Sequence, residues 1–226
     1  MYKRQLLERV PVEYLEADWI LRSFVDESKV SAFYMIASRV IDFIGGLVGV
    51  LGLVILYPFI AFGILIESGR PITFQQIRAG KGGVPFRILK FRTMYVSEDT
   101  GGIGGMTKED DKRVTPFGRI LRKTHLDETL QFINVLRGEM SLVGPRPELP
   151  RLVDYFQEHI PFYRARLLVK PGITGWSQNH ITYAANLRET LIKLEYDLYY
   201  IKHRNLLMDL GILLRTFANV LGFRGR

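Results

Sequence analysis

The sequence predicts a mainly α-helical protein with one small β-hairpin, membrane-anchored through a single apolar helix and carrying further amphipathic helices at the interface. Three observations carry that reading. Phe43 to Ile66 reads FIGGLVGVLGLVILYPFIAFGILI, roughly 24 residues without a charge, which at about 1.5 Å per residue reaches across about 30 Å of hydrocarbon. PITFQQIRAG and VPFRILKFRTM alternate apolar and polar residues on either side of GKGG, the pattern of a short hairpin. Further on, Leu126, Leu130, Ile133 and Leu136 recur close to the helical period.

With 226 residues, the chain has room for one compact domain and an anchor but not for two full domains. Three segments are expected: a linker or surface segment at 1–37, the membrane helix at 38–68 and a large basic portion at 69–226. The 31 basic residues outnumber the 23 acidic ones, for a net charge of +8, so the partners are anionic: phosphates, lipid headgroups or nucleic acid. Nucleic acid fits poorly, because the basic residues accompany an apolar anchor and no base-reading motif is present. The absence of cysteine excludes disulfides, a thiolate nucleophile and zinc–thiolate sites. His125, His159, His180 and His203 form no i, i+4 ligand pair.

The apolar run begins more than forty residues in, follows a charged segment and lacks a small-residue cleavage pattern, so it is not a cleavable signal. Pro58 lies within it and removes a backbone donor, which predicts a kink or break near Tyr57. A straight span would separate residues 1–37 from the basic portion, whereas a re-entrant helix would return both ends to one face. Arg39 on one flank and Arg70, Arg78 and Lys81 on the other place basic residues at both ends, where a simple span shows them mainly on the cytoplasmic side.

VPVEYLEADWILRSF predicts a helix that packs or lies on the membrane surface. Ser97–Asp111, with four glycines and no apolar period, predicts a mobile loop that closes over substrate. The prolines at 145, 147 and 150 end any helix. Helices are expected at Arg151–Arg166 and Leu187–His203, and a last one in NLLMDLGILLRTFANVLGFRGR either packs on the core or lies in the interface. Tyr196, Tyr199 and Tyr200 are expected to pack or to meet headgroups.

KTHLDETLQF (Lys123–Phe132) sets Asp127 and Glu128 side by side. Thr124, three residues ahead of Asp127, matches an N-cap, and acids in a first helical turn suit the helix dipole. Their setting supports a second role, since basic residues precede them and GPRPE follows. One carboxylate could attack phosphorus while the other holds a metal or handles a proton. Attack by an anion on a diphosphate requires cations, which Mg²⁺ and the guanidinium forks of Arg92 and Arg146 could supply.

SRVIDFIGG with the later YP, PFRILKFRTM, TPFGRILRKTHLDETLQFINVLRGEMSLVGPRPE, KPGITGW and LEYDLYYIKHRNLLMDLGILLRT together resemble the bacterial sugar transferase family, the monotopic phosphoglycosyl transferases, from about Ser38 to the C-terminus. The resemblance implies transfer of a sugar phosphate from a UDP-sugar to polyprenyl (undecaprenyl) phosphate with release of UMP, the initiating step of exopolysaccharide, capsule or O-antigen assembly. It also implies a covalent phosphosugar on Asp127, with Glu128 assisting and Mg²⁺ held by the pair. Lys90, Arg92, Pro145, Arg146 and Pro147 match positions that line the phosphate site. Arg39 and Asp42 match the pair that introduces a re-entrant helix, and Tyr57–Pro58 stands where a helix-breaking Ser-Pro is usual. The resemblance further implies the cytoplasmic face of the bacterial inner membrane, contact with membrane lipids, a hexose phosphate as the transferred group and a homodimer as in longer relatives. A non-catalytic membrane-surface scaffold binding anionic lipid or pathway proteins is the competing reading.

Overall fold

The computed structural model describes residues 9, 10, 12, 31–95, 111, 113–181 and 186–222. The helix expected from VPVEYLEADWILRSF and the loop at Ser97–Asp111 lie almost wholly outside them. Within the described residues, helix α1 (Ala32–Ser68) leads into the hairpin strands β1 (Thr73–Ala79) and β2 (Pro85–Phe91). Helices α2 (Pro116–Lys123) and α3 (Gln131–Arg137) follow, separated by one 3₁₀ turn at Leu126–Glu128. Strand β3 (Ser141–Val143), α4 (Pro150–His159), a 3₁₀ segment at Tyr163–Leu168, β4 (Gly172–Thr174), α5 (Trp176–His180), α6 (Leu187–His203) and α7 (Leu206–Leu221) complete the chain.

The hairpin forms as its alternation predicts, antiparallel, with Thr73 opposite Phe91 and Ala79 opposite Pro85. Gly82 and Gly83 turn it at φ 66° and 80°, values that glycine adopts without a Cβ clash. The second sheet was not expected. SLVGPRPELP reads as punctuation, yet Ser141–Val143 pairs in parallel with Gly172–Thr174. Three residues show no alternation, and a parallel partner thirty residues away leaves no local trace.

Helix α1 starts at Ala32, six residues ahead of the expected Ser38, and it runs through Pro58 without interruption. The proline therefore does not break the helix. Both halves are held from the side: Leu53, Ile60 and Ile64 pack with Phe91, Leu121 and Leu130 in one cluster, and the Tyr57 ring lies 5.7 Å from that of Phe91.

One stripe of α1 touches the rest of the molecule along nearly its whole length. Near its start, the Arg39 guanidinium donates to the carbonyls of Val135 (2.9 Å) and Leu136 (3.1 Å) at the end of α3. Asp42 Oδ1 accepts from Ser141 Oγ (2.9 Å) and the Leu142 amide (2.8 Å). Gly45, Gly46 and Gly49 let the helix close on Leu142, Leu136 and Phe132, side chains that any added Cβ would overlap. Near its end, Glu67 Oε1 accepts from the amide of Phe117 at 2.9 Å. The opposite stripe, including Val48, Ile55, Phe59, Phe62 and Ile66, is exposed and apolar.

The larger core lies beneath, where Val135, Met140 and Leu142 meet Leu194, Leu198 and Ile212 from α6 and α7. Helix α7 buries Ile212 and leaves Leu207, Leu210, Leu214 and Phe217 exposed. One face of it thus packs in the core, and among the described residues an apolar face lies outside. Tyr200 is buried, while Tyr199 stacks on Trp176 and Tyr196 on His180.

Candidate active site

The acid pair does not open a helix. Thr124 closes α2 rather than capping the next helix, with its hydroxyl donating to the Ile120 carbonyl at 2.9 Å. His125 then turns left-handed at φ 57°, and Asp127 and Glu128 sit on the 3₁₀ turn that follows. Tertiary packing accounts for the break. Leu121 before the turn and Leu130 after it enter the same cluster around Phe91, which requires the chain to reverse between them.

The two carboxylates have opposite surroundings. Glu128 is gripped by cations: Oε1 receives Lys90 Nζ at 2.6 Å and Arg146 Nη2, and Oε2 receives Arg146 Nη1 at 3.2 Å. Burial alone would raise its pKa, but Arg146 and Lys90 hold it well below the usual carboxylate range. Asp127 is buried, and no hydrogen bond reaches its carboxylate among the described residues. Burial first, and the neighbouring Glu128 charge second, push it up to about 6 against the attraction of Lys90, Arg122 and Arg146. A carboxylate that is desolvated and free of hydrogen bonds is a better nucleophile than one whose lone pairs are occupied.

The elements place the cations for identifiable reasons. Lys90 comes from β2, whose edge is fixed by the wholly buried Asn134: its Oδ1 accepts from the Leu89 amide (3.1 Å) and its Nδ2 donates to the Arg87 carbonyl (2.8 Å). Arg146 stands on the Pro145–Pro147 loop. That loop is held through the Gly172 amide on the Pro145 carbonyl (3.0 Å), Arg166 on the Arg146 carbonyl (3.0 Å) and Arg78 on the Pro147 carbonyl (3.2 Å). The prolines thus shape the loop and present backbone acceptors.

Arg92 is placed differently from the other predicted basic residues. It is buried, and its guanidinium donates to the carbonyls of Ser68 (2.8 Å), Gly69 (2.6 Å) and Arg70 (2.8 Å), the end of α1. Its fork closes the helix instead of facing the acid pair. Arg39 and Asp42 likewise fasten α1 to α3 and β3. Of the predicted set, the structure brings together Asp127, Glu128, Lys90 and Arg146.

Sequence reasoning overlooked two groups. Arg122, on the last turn of α2, lies near enough to Asp127 to lower its pKa, and its Nε donates to Thr93 Oγ1 at 2.9 Å. The second group is the ion network under the proline loop: Glu148 with Lys193 (2.9 Å) and Arg166 (3.6 Å), and Arg166 with Asp197 (2.8 Å). The spacing of RKTHLD could have suggested Arg122, five residues before Asp127. Nothing local links 148 with 193 and 197.

Among the described residues, no group of three or more His, Asp or Glu side chains could hold a metal alone. The dyad still fits Mg²⁺ of the kind that phosphates carry, because Asp127 has unoccupied lone pairs and Glu128 Oε2 accepts only one long hydrogen bond.

A clamped glutamate and, among the described residues, an unbonded aspartate form a carboxylate–cation site on a chain that carries one helix long and apolar enough to cross a membrane. The chain belongs to the bacterial sugar transferase family, whose model matches residues 33–223. It is 46% identical over 164 residues to the UDP-N-acetylgalactosamine-undecaprenyl-phosphate N-acetylgalactosaminephosphotransferase of Aeromonas hydrophila, a match covering 72% of this chain and 38% of that protein. It is 44% identical over 163 residues to a UDP-glucose:undecaprenyl-phosphate glucose-1-phosphate transferase of Caulobacter vibrioides, covering 71% and 61%. To the protein of the same name in Xanthomonas campestris pv. campestris it is 38% identical over 192 residues, covering 84% and 40%. The matched region therefore spans about two to three fifths of these relatives' lengths.

Proposed function

We propose that this chain transfers a sugar phosphate from a UDP-sugar to polyprenyl phosphate, releasing UMP, at the cytoplasmic face of a bacterial inner membrane. One observation carries the chemistry: of two adjacent acids, one is clamped by Lys90 and Arg146 and the other, Asp127, is buried with no hydrogen bond to its carboxylate among the described residues. The named activities of the relatives supply the substrates.

In the first step, an Asp127 carboxylate oxygen attacks the phosphorus that bears the sugar. The bond from that phosphorus to the bridging oxygen breaks, and UMP leaves with the electron pair. In the second, a phosphate oxygen of the polyprenyl phosphate attacks the same phosphorus and displaces Asp127, yielding a polyprenyl-diphosphate sugar. The acceptor is already anionic and needs no general base. Lys90, Arg122 and Arg146 offset the repulsion between the carboxylate and the diphosphate. Glu128 positions Lys90 and Arg146 while remaining ionised. Asp127 or Glu128 would hold Mg²⁺, which would supply additional charge neutralisation there.

The re-entrant reading of α1 has a geometric support. Arg39 and Glu67 are both tied to the globular portion and lie about 42 Å apart along a helix, with contacts at Gly45, Gly46, Gly49, Leu53 and Tyr57 between them. A straight span would hold its central 30 Å in lipid away from that portion. A helix embedded by its exposed face, with both ends on one side, satisfies the contacts and the apolar stripe together. The exposed face of α7 would share that embedding.

Two measurements test the reaction. Detergent-purified protein given UDP-sugar and Mg²⁺ without acceptor should gain the mass of a sugar phosphate on the peptide containing Asp127; turnover without that adduct would overturn the covalent route. A panel of UDP-sugars scored by UMP release with polyprenyl phosphate should identify the hexose, for which the relatives' names offer both glucose and N-acetylgalactosamine.

A further inference from the structure

Arg146 has one more partner than its clamp on Glu128 requires. Its Nη1 also reaches Oε1 of Gln178, at 3.3 Å. Gln178 stands on the five-residue helix α5, which is itself fastened by Ser177 Oγ donating to Asp197 Oδ1 at 2.6 Å. A guanidinium can only donate, so the contact sets the amide's orientation: the oxygen faces Arg146 and the nitrogen faces away. On that far side, Nε2 is buried without an acceptor among the described residues, 3.4 Å from where a Cβ on Gly175 would stand.

A buried amide nitrogen with no acceptor destabilises a fold, and an apolar side chain of the same length would remove the penalty. Stability therefore does not account for a glutamine here. The gain lies at Arg146, whose side chain is 36% exposed and whose Nη1 contact with Glu128 is the longer of the two, so that a second acceptor on Nη1 fixes the plane of its fork.

We propose that Gln178 is a positioning residue for the transfer reaction: its amide oxygen holds the Arg146 fork against Glu128, locking that carboxylate and the fork's remaining N–H groups beside Asp127, at the expense of its own buried nitrogen. The inference rests on the reaction proposed above. It predicts an opposition that an ordinary packing residue does not show, with activity and stability moving in different directions.

The test is Gln178→Met, alone and combined with Arg146→Lys, in the full chain, read by melting temperature and by kcat and KM for UMP release. Gln178→Met should melt at or above the wild-type temperature while kcat falls about tenfold or more, since small misplacements of a catalytic group have costs of that order. In the Arg146→Lys background, which has no fork left to hold, the same substitution should change kcat by less than about twofold, a non-additivity expected of directly coupled residues. The inference is overturned if Gln178→Met lowers melting temperature and activity together, if it keeps kcat within twofold of wild type, or if its loss is undiminished in the Arg146→Lys protein. Wild-type protein releasing no UMP from any UDP-sugar overturns the proposed reaction and this inference together; active wild type with an indifferent Gln178 variant overturns the inference alone.

Discussion

Asp127 and Glu128 are chemically near-identical neighbours with opposite electrostatic settings. On a 3₁₀ turn successive side chains diverge by about 120°, enough to send Glu128 between Lys90 and Arg146 and to leave Asp127 without a hydrogen bond among the described residues. Asp127→Asn should therefore abolish UMP release and adduct formation. The same substitution should not weaken the fold. Asp127 is raised to about 6 from 3.8, so the folded chain holds the proton more tightly than the unfolded chain does, and stability falls as pH climbs from about 4 through 6. Asparagine removes that penalty above pH 6, so thermal melting at pH 7.5 should give an equal or higher midpoint, the gain in stability being a few kcal/mol at most at about 1.4 kcal/mol per pH unit. The rate of adduct formation should run the other way, level above pH 7 and down to about a tenth at pH 5 as the carboxylate protonates. A single-turnover profile flat between pH 5 and 7 would contradict the assignment of Asp127 as nucleophile.

At the scale of elements, the site depends on pieces that pair across the chain. The parallel contact of β3 with β4 brings the Pro145–Pro147 loop over the acid pair, and it succeeds only because the two strands approach with little side chain between them. A Cβ on Gly172 would overlap the Gly144 amide nitrogen and the Thr174 carbonyl, both backbone atoms that cannot turn aside. Gly172→Ala should therefore cost about 2–4 kcal/mol and reduce UMP release, measured by denaturant melts and by turnover. Beneath the loop, Arg166 is buried with Asp197 and Glu148. Arg166→Met leaves Asp197 buried without its cation, while Glu148 keeps Lys193, and should cost about 3–5 kcal/mol. Glu148, although buried, is lowered to about 2 by Lys193, Arg166 and Arg78, so its contribution is present above its unfolded value of 4.5 and fades as pH falls toward 2. The hairpin and the α6 limits, Leu187–His203, were legible from alternation and helical period. The parallel pair and the left-handed turn at His125 were not, because each is imposed by distant partners.

For the molecule as a whole, the decisive question is which side of a bilayer each end of α1 meets. The chain contains no cysteine, so single cysteines at Ser38 and Arg70 report the ends of the helix without background. In sealed vesicles, a membrane-impermeant maleimide should label both variants from the same side. Labelling from opposite sides would establish a span and exclude the re-entrant arrangement. The apolar length, the basic flanks and the acid pair with its GPRPE neighbour are properties of consecutive residues, so the sequence by itself determined a long apolar helix, a family and four side chains that the fold brings together: Lys90, Asp127, Glu128 and Arg146. Which acid is free and which is clamped, why Arg92 closes a helix instead of facing the acids, and how Gln178 comes to touch Arg146 were decided by tertiary structure alone. Carboxylate burial and guanidinium partners are set by side chains tens of residues away, and no local pattern encodes those distances.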